Sequence, residues 1–145
     1  MKFAAIALLI STLVAQFETC KDTNLPSVKD CTQVGSYFQG KKYTAQVQKQ
    51  GKVRNVKFSV KGDLLNPIYK GSWSVSNSQE GINNFKVFDI CEFNECPLLL
   101  GEGKELKLNY SFVNAGESKE SLVHIRLVSP QSFIYLNDVK LTIKN

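Results

Sequence analysis

Apolar and polar side chains alternate along most of the chain with a two-residue period. Tyr43, Ala45 and Val47 interleave with Thr44, Gln46 and Gln48, and Val56, Phe58 and Val60 interleave with Lys57, Ser59 and Lys61. The same period returns in Gly71, Trp73 and Val75, then in Leu106, Leu108, Tyr110 and Phe112, in Val123, Ile125 and Leu127, and in Val139, Leu141 and Ile143. A strand turns successive side chains to opposite faces, so each run predicts a strand with one dry and one wet face. Gly-Lys, Lys-Gly-Asp, Asn-Pro, Glu-Gly and Asn-Ala-Gly segments between the runs supply turns. No stretch after the first fifteen residues carries a capped apolar stripe at helical period. The pattern predicts an all-β fold, an antiparallel sandwich of two packed sheets.

The 145 residues, 43% apolar and 21% charged, fit one domain and leave little room for two. The opening is different in kind. Lys2 is followed by an apolar run from Phe3 to Ile10 and then by Ser11, Thr12, Leu13, Val14 and Ala15, the layout of a signal peptide over residues 1–15. That run falls short of the roughly 20 residues needed to span a bilayer. Residues 16–145 are then the domain, and export to the cell exterior or an endolysosomal lumen is expected.

Export changes the meaning of Cys20, Cys31, Cys91 and Cys96. An even number of cysteines in an oxidising compartment points to two disulfides. Three pairings are possible; Cys20 with Cys31 and Cys91 with Cys96 are favoured because each closes a short local loop. No metal is expected, since His124 is remote and the cysteine spacings are not those of a zinc ribbon. An immunoglobulin-type bridge from Cys31 to Cys91 fails in detail: Trp73 lies nearer the second cysteine, and Asp89 holds the position two residues before it where a Tyr belongs.

Catalysis finds little support. His124 alternates with Leu122 and Arg126 on what reads as the wet face of a strand, and no nucleophile motif, zinc-protease motif or phosphate-cradling loop occurs. Glu92, Glu95, Glu102 and Glu105 read as solvated turn and edge charges. No enzyme activity and no cofactor are expected. The uneven feature is charge: Lys41, Lys42, Lys49, Lys52, Arg54, Lys57 and Lys61 fall between Thr32 and Gly62 with no acidic residue among them. A basic hairpin attracts anionic surfaces, and Lys49, Lys52 and Arg54 are the candidate contacts for an anionic headgroup or membrane. Nucleic acid is not expected, because the chain is exported and the run lacks exposed aromatics for base stacking. Asn109-Tyr110-Ser111 is a sequon, placing a candidate glycan on the wet face of its strand.

The segment Phe88 to Gly101 combines a strand end, a Cys-closed loop and a Pro-led apolar run before a fresh alternating strand. With Asp89, Cys91, Cys96, Pro97 and Gly101 in their places, it resembles the ML family of secreted lipid-recognition β-sandwiches. That family includes the Niemann-Pick type C cholesterol carrier, mite group 2 allergens and phosphatidylglycerol/phosphatidylinositol transfer proteins. Lys29-Asp30-Cys31, Gly71 to Val75 and the closing run Leu136 to Lys144 extend the likeness more weakly. The chain departs from many members in having no cysteine after Cys96. The resemblance implies an immunoglobulin-like sandwich with an apolar cavity that holds a sterol or phospholipid. Its walls would come from Val56, Phe58, Val60, Trp73, Leu106, Leu108, Tyr110, Phe112, Val123, Ile125 and Leu127. The expected protein is a monomer with transient membrane-surface contact. The alternative is a solid recognition module that binds an acidic glycan, a receptor or an anionic membrane through the basic face. Of the triplet Leu98, Leu99 and Leu100, at least one member should reach a rim or the surface.

Overall fold

A computed structural model of the protein describes residues 19–79, 82–114 and 119–145; the expected leader lies outside them. Nine strands follow one another: β1 (Lys21–Asp22), β2 (Val28–Asp30), β3 (Phe38–Gln50), β4 (Val53–Leu64), β5 (Ser72–Gln79), β6 (Ile82–Asp89), β7 (Gly101–Val113), β8 (Glu120–Val128) and β9 (Asn137–Lys144). The only helical element among the described residues is one 3₁₀ turn at Ile90–Glu92. The strands form two antiparallel sheets, one ordered β1-β2-β9-β8-β5-β6 and the other β3-β4-β7. The expected all-β sandwich is what the chain adopts.

The alternation sets the register. Trp73 faces Leu127 and Val75 faces Ile125 across β5 and β8, while Val56 faces Tyr110 and Phe58 faces Leu108 across β4 and β7. Because cross-strand partners share a face, each sheet turns a mainly apolar face toward the other, interrupted at Arg54 on β4 and Asn77 on β5. All eleven predicted wall residues are buried in one inter-sheet core, together with Val28, Phe38, Tyr43, Ile68, Ile90, Leu136, Val139, Leu141 and Ile143. Phe58 meets the edge of Trp73 across the core at 6.2 Å between ring centres.

Two glycines make the β3–β4 ribbon possible. Gly51 opens the two-residue turn at φ +59°, where a side chain is strained. Gly62 sits where β3 and β4 slip register, and a Cβ there would stand 2.1 Å from the Gln39 carbonyl oxygen. The contact is with backbone, which cannot step aside cheaply. Gly62→Ala is expected to destabilise the fold by about 1–3 kcal/mol, the usual range for overpacking, as read from the urea midpoint.

Candidate functional site

Among the described residues no strand pair joins the two sheets, so what happens along their two long edges decides whether they can part. One edge is stitched by polar side chains. Asn24, between β1 and β2, accepts the backbone N–H of Tyr43 on β3 at 2.7 Å and donates to its carbonyl at 2.9 Å. The Tyr43 hydroxyl donates to Asp30 at 2.9 Å, and Asn137 Nδ2 reaches the same hydroxyl at 3.4 Å. Burial, followed by the nearby Asp30 charge, raises the Tyr43 hydroxyl well above the ordinary tyrosine range.

Among the described residues the opposite edge, between β6 and β7, is held more lightly. At its loop end Asn94 acts as one rung of a strand: it donates to the Lys107 carbonyl at 3.0 Å and accepts the Lys107 N–H at 2.8 Å. The Cys91–Cys96 disulfide closes the loop that presents Asn94. Asp89 caps the 3₁₀ turn inside that loop, accepting the Cys91 N–H while Glu92 returns a bond to the Asp89 N–H. The Asp-x-Cys spacing therefore has a local physical cause, an N-cap. Toward the hairpin end, Lys86 Nζ reaches from β6 to the Ser111 carbonyl on β7 at 2.8 Å.

Beneath Lys86 lies an inlet between the sheets, lined by Val75, Asn77, Lys86, Tyr110 and Phe112. Its volume is about 10 Å³, room for about one water. Tyr110 stacks on Phe112 at 5.8 Å. Asn77 is 2% exposed and Tyr110 6%, yet neither amide atom of Asn77 nor the Tyr110 hydroxyl has a hydrogen-bond partner. Burial alone raises the Tyr110 hydroxyl far above its ordinary range. The eleven wall residues pack against one another, so the cavity expected between the sheets is not open to lipid size at this inlet.

The structure distributes the other candidates unevenly. The two disulfides are Cys20–Cys31 and Cys91–Cys96, the favoured pairing. Lys49 and Lys52 stand exposed at the β3–β4 tip. Arg54 departs from the expectation of a surface contact. It is 7% exposed and its Nη1 donates to the Gly51 and Val53 carbonyls, because it shares the inward row of Val56 and Phe58. Lys42, Lys57 and Lys61 point outward on the three-stranded sheet, where Lys61 faces Glu105. Asn109 is exposed on that same face, where a sugar has room. Leu98 is half-buried and bridges to Ile68, whereas Leu99 and Leu100 are 62% and 61% exposed at the loop end. His124 lies on the outer face of the six-stranded sheet, its Nε2 2.5 Å from Asp138 Oδ1, and takes no part in the inlet. Among the described residues no cluster suited to a metal occurs, and no helix is long and apolar enough to cross a membrane.

No family model and no curated protein sequence matches this chain. Among solved structures, a Niemann-Pick type C2 protein from Japanese carpenter ant aligns at TM-score 0.55 with 15% identity, covering 79% of this chain and 96% of that one. Chicken MD-1 complexed with lipid IVa aligns at TM-score 0.43 with 11% identity, covering 87% of this chain and 94% of that one. The likeness to the ant protein is one of fold.

The tyrosine shift fixes the sign of an alkaline effect. An unfolded tyrosine ionises near pH 10, whereas the buried Tyr110 keeps its proton. Its contribution to stability is therefore complete below pH 10 and is lost as pH rises beyond it. Tyr110→Phe should make the fall in unfolding free energy shallower by about 1.4 kcal/mol for each pH unit above 10, measured by urea melts between pH 9 and 11.5.

Proposed function

We propose that this protein is a lipid carrier of the cell exterior or endolysosomal lumen. It holds a sterol or phospholipid between its two sheets and makes or breaks no bond. The observation that carries this reading is the β6–β7 edge. There an inlet leads into a core built on two sheets that, among the described residues, share no strand pair, and Lys86 crosses the gap to the Ser111 carbonyl. Two further observations support it: the Cys-loop motif that resembles the ML family, and a fold shared with a Niemann-Pick type C2 protein.

The energetics permit such opening. Parting the sheets exposes apolar side chains at a cost of about 25 cal/mol per Å², and a guest that covers them returns a similar amount. Roughly 300 Å² of acyl surface moved from water contributes about 7 kcal/mol before the cost of immobilising the chain. A lipid can therefore offset the opening it requires. The opposite edge, with Asn24 clamping Tyr43, serves as the hinge.

Trp73, the single tryptophan, lies in the predicted wall and reports on the interior. Brominated stearate should quench its emission with a saturating one-to-one dependence, and native mass spectrometry should show the matching adduct. Unchanged emission together with an unshifted mass after incubation with brominated vesicles would sink the carrier reading.

A second reading, a module that docks on acidic surfaces, draws on the exposed Lys49 and Lys52 at the β3–β4 tip. Converting each to Gln should weaken binding to phosphatidylserine vesicles by about fivefold per residue at low salt. Unaltered vesicle sedimentation would leave the two lysines as solubilising charges only.

A further inference from the structure

The inlet has a chemistry of its own. An inward position on a sandwich strand normally takes an apolar side chain, and β5 obeys this at Trp73 and Val75 before placing Asn77 on the same row. On β7, directly across the inlet, Tyr110 sits in the row of Leu106, Leu108 and Phe112. Buried polar groups in folded proteins are nearly always paired, because leaving one unpaired costs free energy. Asn77 leaves two donor hydrogens and a carbonyl oxygen unused, and Tyr110 leaves its hydroxyl unused. The inlet that both of them line is about large enough for one water, which cannot satisfy all of these groups.

Cationic groups stand around this pair. Lys86 lines the same inlet and spends its ammonium on one neutral acceptor, the Ser111 carbonyl. Arg54 occupies the inward row of β4 one step beyond Val56, the cross-strand partner of Tyr110, and its Nε has no partner. Among the described residues, the inward positions of β4 to β7 around the inlet carry no carboxylate to balance these charges. Donors therefore outnumber acceptors, and two of them are cationic.

We infer that Asn77, Tyr110 and Lys86 form an internal polar subsite for the carboxylate of a single-chain lipid. The head group rests at the β6–β7 mouth and the tail extends toward Trp73. The carboxylate takes the Lys86 ammonium from the Ser111 carbonyl and exchanges a neutral hydrogen bond for a charge-assisted one. Releasing that carbonyl also frees the lighter edge, so recognition of the head group and opening of the mouth become one event. The inference rests on the carrier reading and narrows it to a ligand class.

The test is a competition ladder. Palmitate, hexadecanol and hexadecane displace brominated stearate from the wild-type protein, followed through recovery of Trp73 emission. The expected order is palmitate over hexadecanol over hexadecane, each step about tenfold. Asn77→Leu with Tyr110→Phe should shrink the hexadecanol-to-hexadecane step to within about twofold, and Lys86→Met should do the same to the palmitate-to-hexadecanol step. Lys57→Gln, a change of equal charge on the outer face, should leave the ladder intact. Tyr110→Phe alone removes a single oxygen atom and serves as the probe of the neutral step if the double variant does not fold. A wild-type ladder with no steps, or steps that survive in the variants, overturns the subsite while leaving lipid uptake standing. Wild-type protein that takes up brominated phospholipid from vesicles but not brominated stearate overturns the subsite alone, and failure to take up either removes the carrier reading with it.

Discussion

Two sheets that, among the described residues, pair no strands with each other are held together by what their facing side chains withdraw from water. Every other property of the molecule depends on this. Hydrophobic attraction has no direction, so it favours contact between the sheets without fixing the path by which they separate. Direction comes from the polar stitches along the edges, and these are unequal. Asn24, Asp30 and Asn137 converge on Tyr43 along one edge, while the other relies on Asn94 at its loop end and Lys86 toward its hairpin end. A uniform attraction is thus combined with uneven fastening.

Much of this was legible in the residue pattern, and the rest was hidden for identifiable reasons. Period-two alternation is a strong signal because a one-residue slip would turn a whole row to water, so the inward rows of β4, β5, β7 and β8 emerged intact. Short loops also made the disulfide pairing readable. Arg54 is buried because strand parity outranks charge: it stands on the even-numbered row of Val56, Phe58 and Val60. Parity could likewise have singled out Asn77, two residues beyond Val75. Asn24 and Asn94 left no such trace. Each matters through backbone groups brought close by the fold, Tyr43 in one case and Lys107 in the other, and sequence spacing does not encode that proximity.

The interior departs from an ordinary sandwich in its polar content. A core selected only for stability would place Leu and Phe where Asn77 and Tyr110 stand, since unpaired buried groups cost free energy. Such exceptions concentrate where a protein does something besides fold. Elsewhere the core packs rings together, with Phe58 against Trp73, and the unpaired groups of Asn77 and Tyr110 meet beneath one stretch of one edge.

The outermost strands also bear on how molecules of this protein meet. β6 and β7 each end a sheet, and an exposed terminal strand is a template on which another chain can add its own. Phe85 and Val87 on the outer side of β6 would make such an addition adhesive. Lys86, turned inward between them, interrupts that invitation with a charge that a second chain would have to bury. One side chain therefore both spans the gap to Ser111 and sets a charge on the strand edge where another chain would add.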